Sequence, residues 1–89
     1  GGIYIQNNDT PEHELLRDEI AQVVSKALEQ LPEDIRQAIT LREMEGLSYE
    51  EIADVMNTPV GTVRSRIFRA REAIDARLRP LYEHQRVRP

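Results

Sequence analysis

Residues 47–71 read LSYEEIADVMNTPVGTVRSRIFRAR, and this stretch decides the fold. Ser48 is a good N-cap, and Glu51 three positions later completes a capping box. Leu47 and Ile52 flank that cap as a hydrophobic staple. Tyr49, Ile52, Ala53 and Met56 fall at i, i+3, i+4 and i+7, one apolar stripe over two turns. Asn57 tolerates the left-handed conformation that a tight exit needs. Thr58 is placed to cap a second helix, with Pro59 at its first position, where a missing N–H costs nothing. Two helices joined by so short a turn cross steeply, which presents the second one outward. The pattern predicts a helix-turn-helix.

In the second helix, Val60, Val63, Ile67, Ala70, Ile74, Leu78 and Leu81 step by three and four and form the buried seam. Gly61, Arg64, Ser65, Phe68 and Arg69 lie mainly on the opposite side. That outer face carries the only phenylalanine of the chain, and its first two turns have arginines without matching acids. Arginine can fork onto guanine O6 and N7, serine can bond a phosphate or a base, and an aromatic ring can pack on a thymine methyl. Gly61, near the helix start, lets a phosphate approach the backbone N–H groups. A charged surface helix with one stray aromatic is the bland alternative. The arginines, however, cluster at the end of the helix that a helix-turn-helix inserts into DNA.

Upstream of this unit the spacing predicts two more helices. Thr10 can cap the first, with Pro11 at its first position and Glu12 and Glu14 in its first turn. Its stripe is Leu16, Ile20, Val23, Val24, Ala27, Leu28 and Leu31, reaching about residue 30. Leu31-Pro32 is a break. The next helix runs from Glu33 to about Glu45, stops at Gly46, and offers Ile35, Ala38, Ile39 and Leu41 to the core. Arg42 is the anomaly, one heptad after Ile35 and near the middle of that apolar arc. It must either pair with an acid, Glu45 or Glu50, or reach past the core to a phosphate. Downstream, Pro80 is expected to end or kink the last helix, and residues 82–89, without a core pattern, are expected to fray. The expected organisation is a linker or cloning remnant over 1–9, a helical domain over 10–81 with the helix-turn-helix at about 48–79, and a frayed tail.

Eighty-nine residues make one small domain of three or four packed helices. The five prolines and four glycines sit mostly at boundaries. The fold class is therefore all-α: four helices ending in a helix-turn-helix, of the winged-helix-like DNA-binding class but without a wing. There is no cysteine, hence no disulfide framework and no thiolate metal site. His13 and His84 have no ligands at metal-binding spacing, so neither a metal nor a cofactor is expected. No Ser–His–acid or paired-carboxylate arrangement stands out, which argues against an enzyme. No stretch reads as a membrane span or signal peptide, in keeping with a cytoplasmic protein. The lack of an initiator Met points to a fragment.

The net charge of −4 argues at first against a nucleic-acid partner. Its distribution reverses the argument. Residues 1–56 hold four Lys/Arg against thirteen Asp/Glu, net −9, whereas residues 57–89 hold eight Arg against three acids, net +5. The basic half coincides with the outward helix. An acidic body with a basic reading edge should limit non-specific DNA affinity, which comes mainly from neutralised phosphates. Solubility is the other use of such acidity.

The run LPEDIRQAITLREMEGLSYEEIADVMNTPVGTVRSRIFRAREAID, residues 31–75, resembles region 4 of bacterial extracytoplasmic-function sigma factors, especially the sigma-E (AlgU-like) group. GLSYEEIA and PVGTVRSRIFRAR are its most specific pieces. Asn57-Thr58 stands where close relatives often have a residue followed by cysteine, and the tail after Leu78 is less familiar. The resemblance implies a four-helix domain that reads the promoter −35 element, GGAAC-like in this group, while docked on the flap of the RNA polymerase β subunit. By motif position, Arg64, Ser65, Phe68 and Arg69 would face the major groove, with Arg69 the first choice for a guanine. Thr62, Arg66 and Arg71 would flank them on the backbone. Arg42, Tyr49 and Glu50 would sit beside phosphates or order the residues that do. The resemblance also implies an anti-sigma partner. Region 2, which reads the −10 element, is not among these residues, so this stretch alone should bind duplex DNA weakly. Two alternatives share parts of the pattern: the DNA-binding output domain of a LuxR-type regulator, and a protein-docking module gripped through Phe68.

Overall fold

The computed structural model describes residues 11–86 of the chain, with side chains through Glu83. The expected cap at Thr10, the segment 1–9, the His84 side chain and residues 87–89 lie outside it. Four helices follow one another: α1 (Pro11–Glu29), α2 (Glu33–Glu43), α3 (Tyr49–Met56) and α4 (Val60–Arg86). No strand occurs among the described residues, so the helix-turn-helix carries no wing there.

Each junction is closed by backbone groups that the helix ends would otherwise leave unpaired. At the end of α1, the Gln30 N–H donates to the carbonyls of Lys26 and Ala27, and the Leu31 N–H to that of Leu28. Pro32 then starts α2 by accepting from the Arg36 N–H at 2.9 Å. The end of α2 comes at Glu43, two residues before the expected Glu45. There the Thr40 carbonyl accepts from both Met44 and Glu45, and Leu47 donates to Leu41. These longer spans widen the last turn, and Gly46, at φ 73, makes the exit. Only a residue without Cβ takes that backbone angle without cost.

The predicted capping box is present at the start of α3. The Glu51 N–H donates to the Ser48 hydroxyl at 3.1 Å, and the Ser48 N–H donates to the Glu51 carboxylate at 2.8 Å. At its end Asn57 is left-handed, φ 55 and ψ 49. The Asn57 N–H reaches Asp54 and the Thr58 N–H reaches Ala53, the two bonds of a Schellman motif.

Thr58 does not cap α4 as expected. Its amide is committed to the end of α3, and its buried hydroxyl has no hydrogen-bond partner. Pro59 takes over, its carbonyl accepting from Thr62 and Val63, so that α4 begins at Val60. Nor does Pro80 end the last helix, which continues through it to Arg86. The helix thus covers residues 82–86 of the expected tail. Leu81, one residue beyond the proline, is half-buried and lines a cavity of about 510 Å³ together with Glu19, Gln22, Val23 and Lys26 of α1. The packing of α4 as a whole on α1 stands against the hydrogen bond that the missing N–H removes.

At 27 residues, α4 is about 40 Å long, and the other three helices all pack on it. Ile52, Val63 and Ala70 are fully buried, with Ile67, Ile39, Ala38 and Ile35 around them. Leu28, Leu31, Leu41, Leu47, Tyr49, Ala53 and Met56 close the rim of this core. The seam foreseen along α4 is buried at Val63, Ile67, Ala70 and Leu78 and half-buried at Val60, Ile74 and Leu81.

Candidate nucleic-acid interface

The face of α4 opposite the core carries Gly61, Arg64, Ser65, Phe68 and Arg69, all exposed. The Phe68 ring keeps 61% of its surface in water. Burial of Val63, Ile67 and Ala70 fixes this orientation, because residues one position either side of a buried helical residue turn about 100° away. Among the described residues, neither Arg64 nor Arg69 joins an ion pair or a side-chain hydrogen bond. Two unpaired guanidinium groups thus flank an exposed aromatic ring and a serine. A Cβ added at Gly61 would meet nothing within 4 Å, so the first turn of α4 is open to an approaching group.

The two flanks of α4 differ from this face. Arg66 turns toward the body, with its Nε 3.5 Å from a carboxylate oxygen of Asp34 and a guanidinium nitrogen 3.9 Å from the sulfur of Met56. Only 20% of its side chain is exposed. Asp34 is itself fixed by accepting the Ile35 N–H at 2.8 Å. On the other flank Arg71 donates to the Glu43 carboxylate at 2.8 Å, both side chains being about half exposed. This bond, with a smaller contribution from Tyr49, holds the Arg71 guanidinium above its ordinary range. Thr62 is half-buried between the reading face and the Arg66 flank.

Arg42 takes neither acid considered for it. Its guanidinium donates to the Leu47 carbonyl at 2.8 Å and lies 5.1 Å over the centre of the Tyr49 ring. Leu47 immediately precedes the Ser48 cap, so Arg42 ties the end of α2 to the start of α3. A cation over an aromatic face is attracted by the ring quadrupole, which helps a half-buried charge stay there. Tyr49 therefore interacts with arginines from two helices: Arg42 lies over its ring, and Tyr49 adds electrostatically to the shift of Arg71. Glu50, next in α3, is exposed.

The structure brings the ten sequence-predicted residues together unevenly. Arg64, Ser65, Phe68 and Arg69 share one open face; Arg42, Tyr49 and Arg71 form a cluster beside it; Arg66 is drawn inward. Sequence reasoning missed Asp34 and Glu43. Both are α2 acids that look like ordinary surface charges, and only the crossing of α2 and α4 pairs them with arginines far along the chain. Among the described residues, no group of His, Cys, Asp or Glu could hold a metal ion, and no helix is long and apolar enough to cross a membrane.

Comparison with known proteins agrees with this architecture. The family model described as "Sigma-70, region 4" matches residues 18–74. The RNA polymerase sigma-H factor of Pseudomonas aeruginosa is 64% identical over 77 residues, covering 86% of this chain and 40% of that protein. The ECF RNA polymerase sigma-E factor of Haemophilus influenzae is 56% identical over 80 residues, 90% of this chain and 42% of that protein. The ECF RNA polymerase sigma-E factor of Escherichia coli K12 is 65% identical over 71 residues, 80% and 37% of the two chains. The chain thus spans about two fifths of the length of these curated relatives.

Proposed function

The chain belongs to the sigma-70 region 4 family, and on that premise we propose that it reads the −35 element of bacterial promoters for RNA polymerase. The observation that carries the reading is the open face of α4, where unpaired Arg64 and Arg69 flank Ser65 and Phe68. Inserted in the major groove, this face offers two forked donors for guanine, a hydroxyl, and a ring for a thymine methyl. A GGAAC-like element suits it, with Arg69 directed to a guanine. Arg42, Tyr49 and Arg71 lie beside the first turn of α3, at a helix N-terminus, which favours an anion. They contribute backbone contacts, and Glu50 can contribute only by orienting an arginine. Thr62 sits on the opposite flank, and Arg66 reaches a phosphate only by leaving Asp34.

A second surface supports docking to a protein, polymerase or anti-sigma factor. Between α1, α2 and α4 lies an apolar groove of about 170 Å³ lined by Val24, Leu28, Ile39, Thr40, Glu43, Met44 and Ile74. Met44 at its edge is 77% exposed, so the apolar lining of the groove extends onto the surface. The LuxR-type alternative loses its support to the family match, whereas the groove leaves Arg64, Ser65, Phe68 and Arg69 uncovered and shares only Glu43 with the Arg71 flank.

Anisotropy titration with a GGAAC duplex and a scrambled one, across several salt concentrations, tests the proposal. Preference for GGAAC with a modest salt slope is the expected result. Equal affinity for the two would remove base readout from the function and leave docking as its content.

A further inference from the structure

The two flanking arginines of α4 are both gripped by acids of one helix, α2: Arg66 by Asp34 and Arg71 by Glu43. The two outward arginines, Arg64 and Arg69, are left unpaired. In the isolated domain, then, the side chains placed to read bases are unencumbered, whereas those placed to grip the sequence-independent backbone already have a carboxylate on them. The two pairs are not equivalent. Arg66 is mostly covered and wedged against Met56, and its acid is held by a backbone N–H. Arg71 and Glu43 are about half exposed and meet through one hydrogen bond. The first pair resembles a structural tie, and the second can be exchanged.

We propose that Glu43 is an intramolecular stand-in for a DNA phosphate on Arg71, and that it sets the affinity of the domain for arbitrary sequence. The inference rests on the promoter-reading function proposed above. When duplex arrives, Arg71 trades the carboxylate for a phosphate oxygen, and the freed Glu43, now beside the DNA backbone, repels it. Both effects subtract from backbone binding and neither touches the bases. Non-specific affinity is dominated by such contacts, so Glu43 lowers it without blunting Arg64 or Arg69. The cluster also explains how Arg71 stays aimed while it waits. Tyr49 is near enough to contribute to the Arg71 shift, and Arg42 lies 5.1 Å over the Tyr49 ring.

Glu43→Gln, which keeps the shape and removes the charge, is therefore expected to tighten binding to GGAAC and scrambled duplexes alike by about two- to fivefold, the range of an exposed ion pair. Glu45→Gln, two residues away and outside any ion pair among the described residues, measures the general effect of deleting an acid at this end of α2. The gain from Glu43→Gln should exceed it, and should shrink to the size of the Glu45→Gln effect, the plain loss of one acid, when Arg71 is also changed to Ala. No gain, a gain equal to that of Glu45→Gln, or a gain undiminished by Arg71→Ala would each overturn the proposal. The same cycle run on heparin, a polyanion without bases, reads the exchange even if the wild type fails to prefer GGAAC. That failure would sink promoter reading alone, whereas wild-type preference without coupling between residues 43 and 71 would sink the stand-in alone. Unaltered thermal unfolding of the variants guards against a folding defect.

Discussion

Arg69 and Arg71 are two residues apart on α4, yet one is unpaired and the other holds Glu43. Their substitutions should separate accordingly. Arg69→Ala is expected to cost about 1–3 kcal/mol on the cognate duplex and to relax specificity at one base pair. Arg71→Ala should weaken every duplex alike and lower the salt slope by about one unit. Titration of both variants against single-base variants of the element checks the pair, and equal losses from Arg69→Ala on cognate and scrambled DNA would make it a backbone contact. Gly61 allows a sharper dissociation of folding from binding. With open space where its Cβ would be, Gly61→Ala should raise helix stability by up to about 1 kcal/mol. If a phosphate approaches the first turn of α4, the same methyl weakens DNA binding. Thr58 is the opposite case, since its buried hydroxyl has no partner. Thr58→Val should stabilise the domain by about 1 kcal/mol, read as a higher urea midpoint, because an unsatisfied group is removed without loss of volume.

The elements were legible in the sequence wherever local chemistry decides them. Ser48 with Glu51, Asn57 with its left-handed backbone and Gly46 with its positive φ all behave as their residue types dictate. The reading failed where a cap position slipped by one residue or where a helix continued past a breaker. Thr58 has cap chemistry, but α4 begins at Val60, which puts Pro59 in the cap position and leaves Thr58 one residue too early. Pro80 is expected on local grounds to end or kink the helix, and α4 does not end there but runs on to Arg86 while packing on α1. Replacing Pro80 by Ala should therefore stabilise α4 by about 1–3 kcal/mol, since the backbone bond returns without disturbing the seam. Circular dichroism melts would record the gain. DNA affinity should stay unchanged, because the reading face lies several turns earlier. A loss of stability instead would mean that the proline ring itself packs against a neighbour.

For the molecule as a whole, the division of charge was visible in the composition, but its geometry was not. Thirteen acids precede Asn57 and eight arginines follow it, which sequence alone renders as a body and an edge. The fold brings two of those acids onto two of those arginines, so part of the basic edge is neutralised from within. The pairing of Arg66 with Asp34 was beyond any local rule, because it spans 32 positions and depends on how α2 crosses α4. The open face of Arg64, Ser65, Phe68 and Arg69 depended only on helical period, and it was read correctly as a face. Which DNA it meets is a matter for titration.

The packing of α1 has a consequence for how the molecule breathes. Ala27, near its end, is its only fully buried residue, and Leu28 alone of its residues packs on the main core. Leu15 near its start remains 66% exposed. By contrast, α2, α3 and the first half of α4 share the tightly filled cluster around Ile52 and Val63. Little apolar area holds the first turns of α1 down, and regions of that kind open at a small fraction of the global unfolding energy. Amide hydrogen exchange should accordingly show two tiers: fast exchange over the first half of α1, and protection approaching the global limit at Ile52, Val63 and Ile67. Uniform protection would mean that α1 melts only with the rest. With two tiers, the half that carries Arg64, Phe68 and Arg69 is a kinetic unit that keeps its shape while the other end of the domain opens and closes.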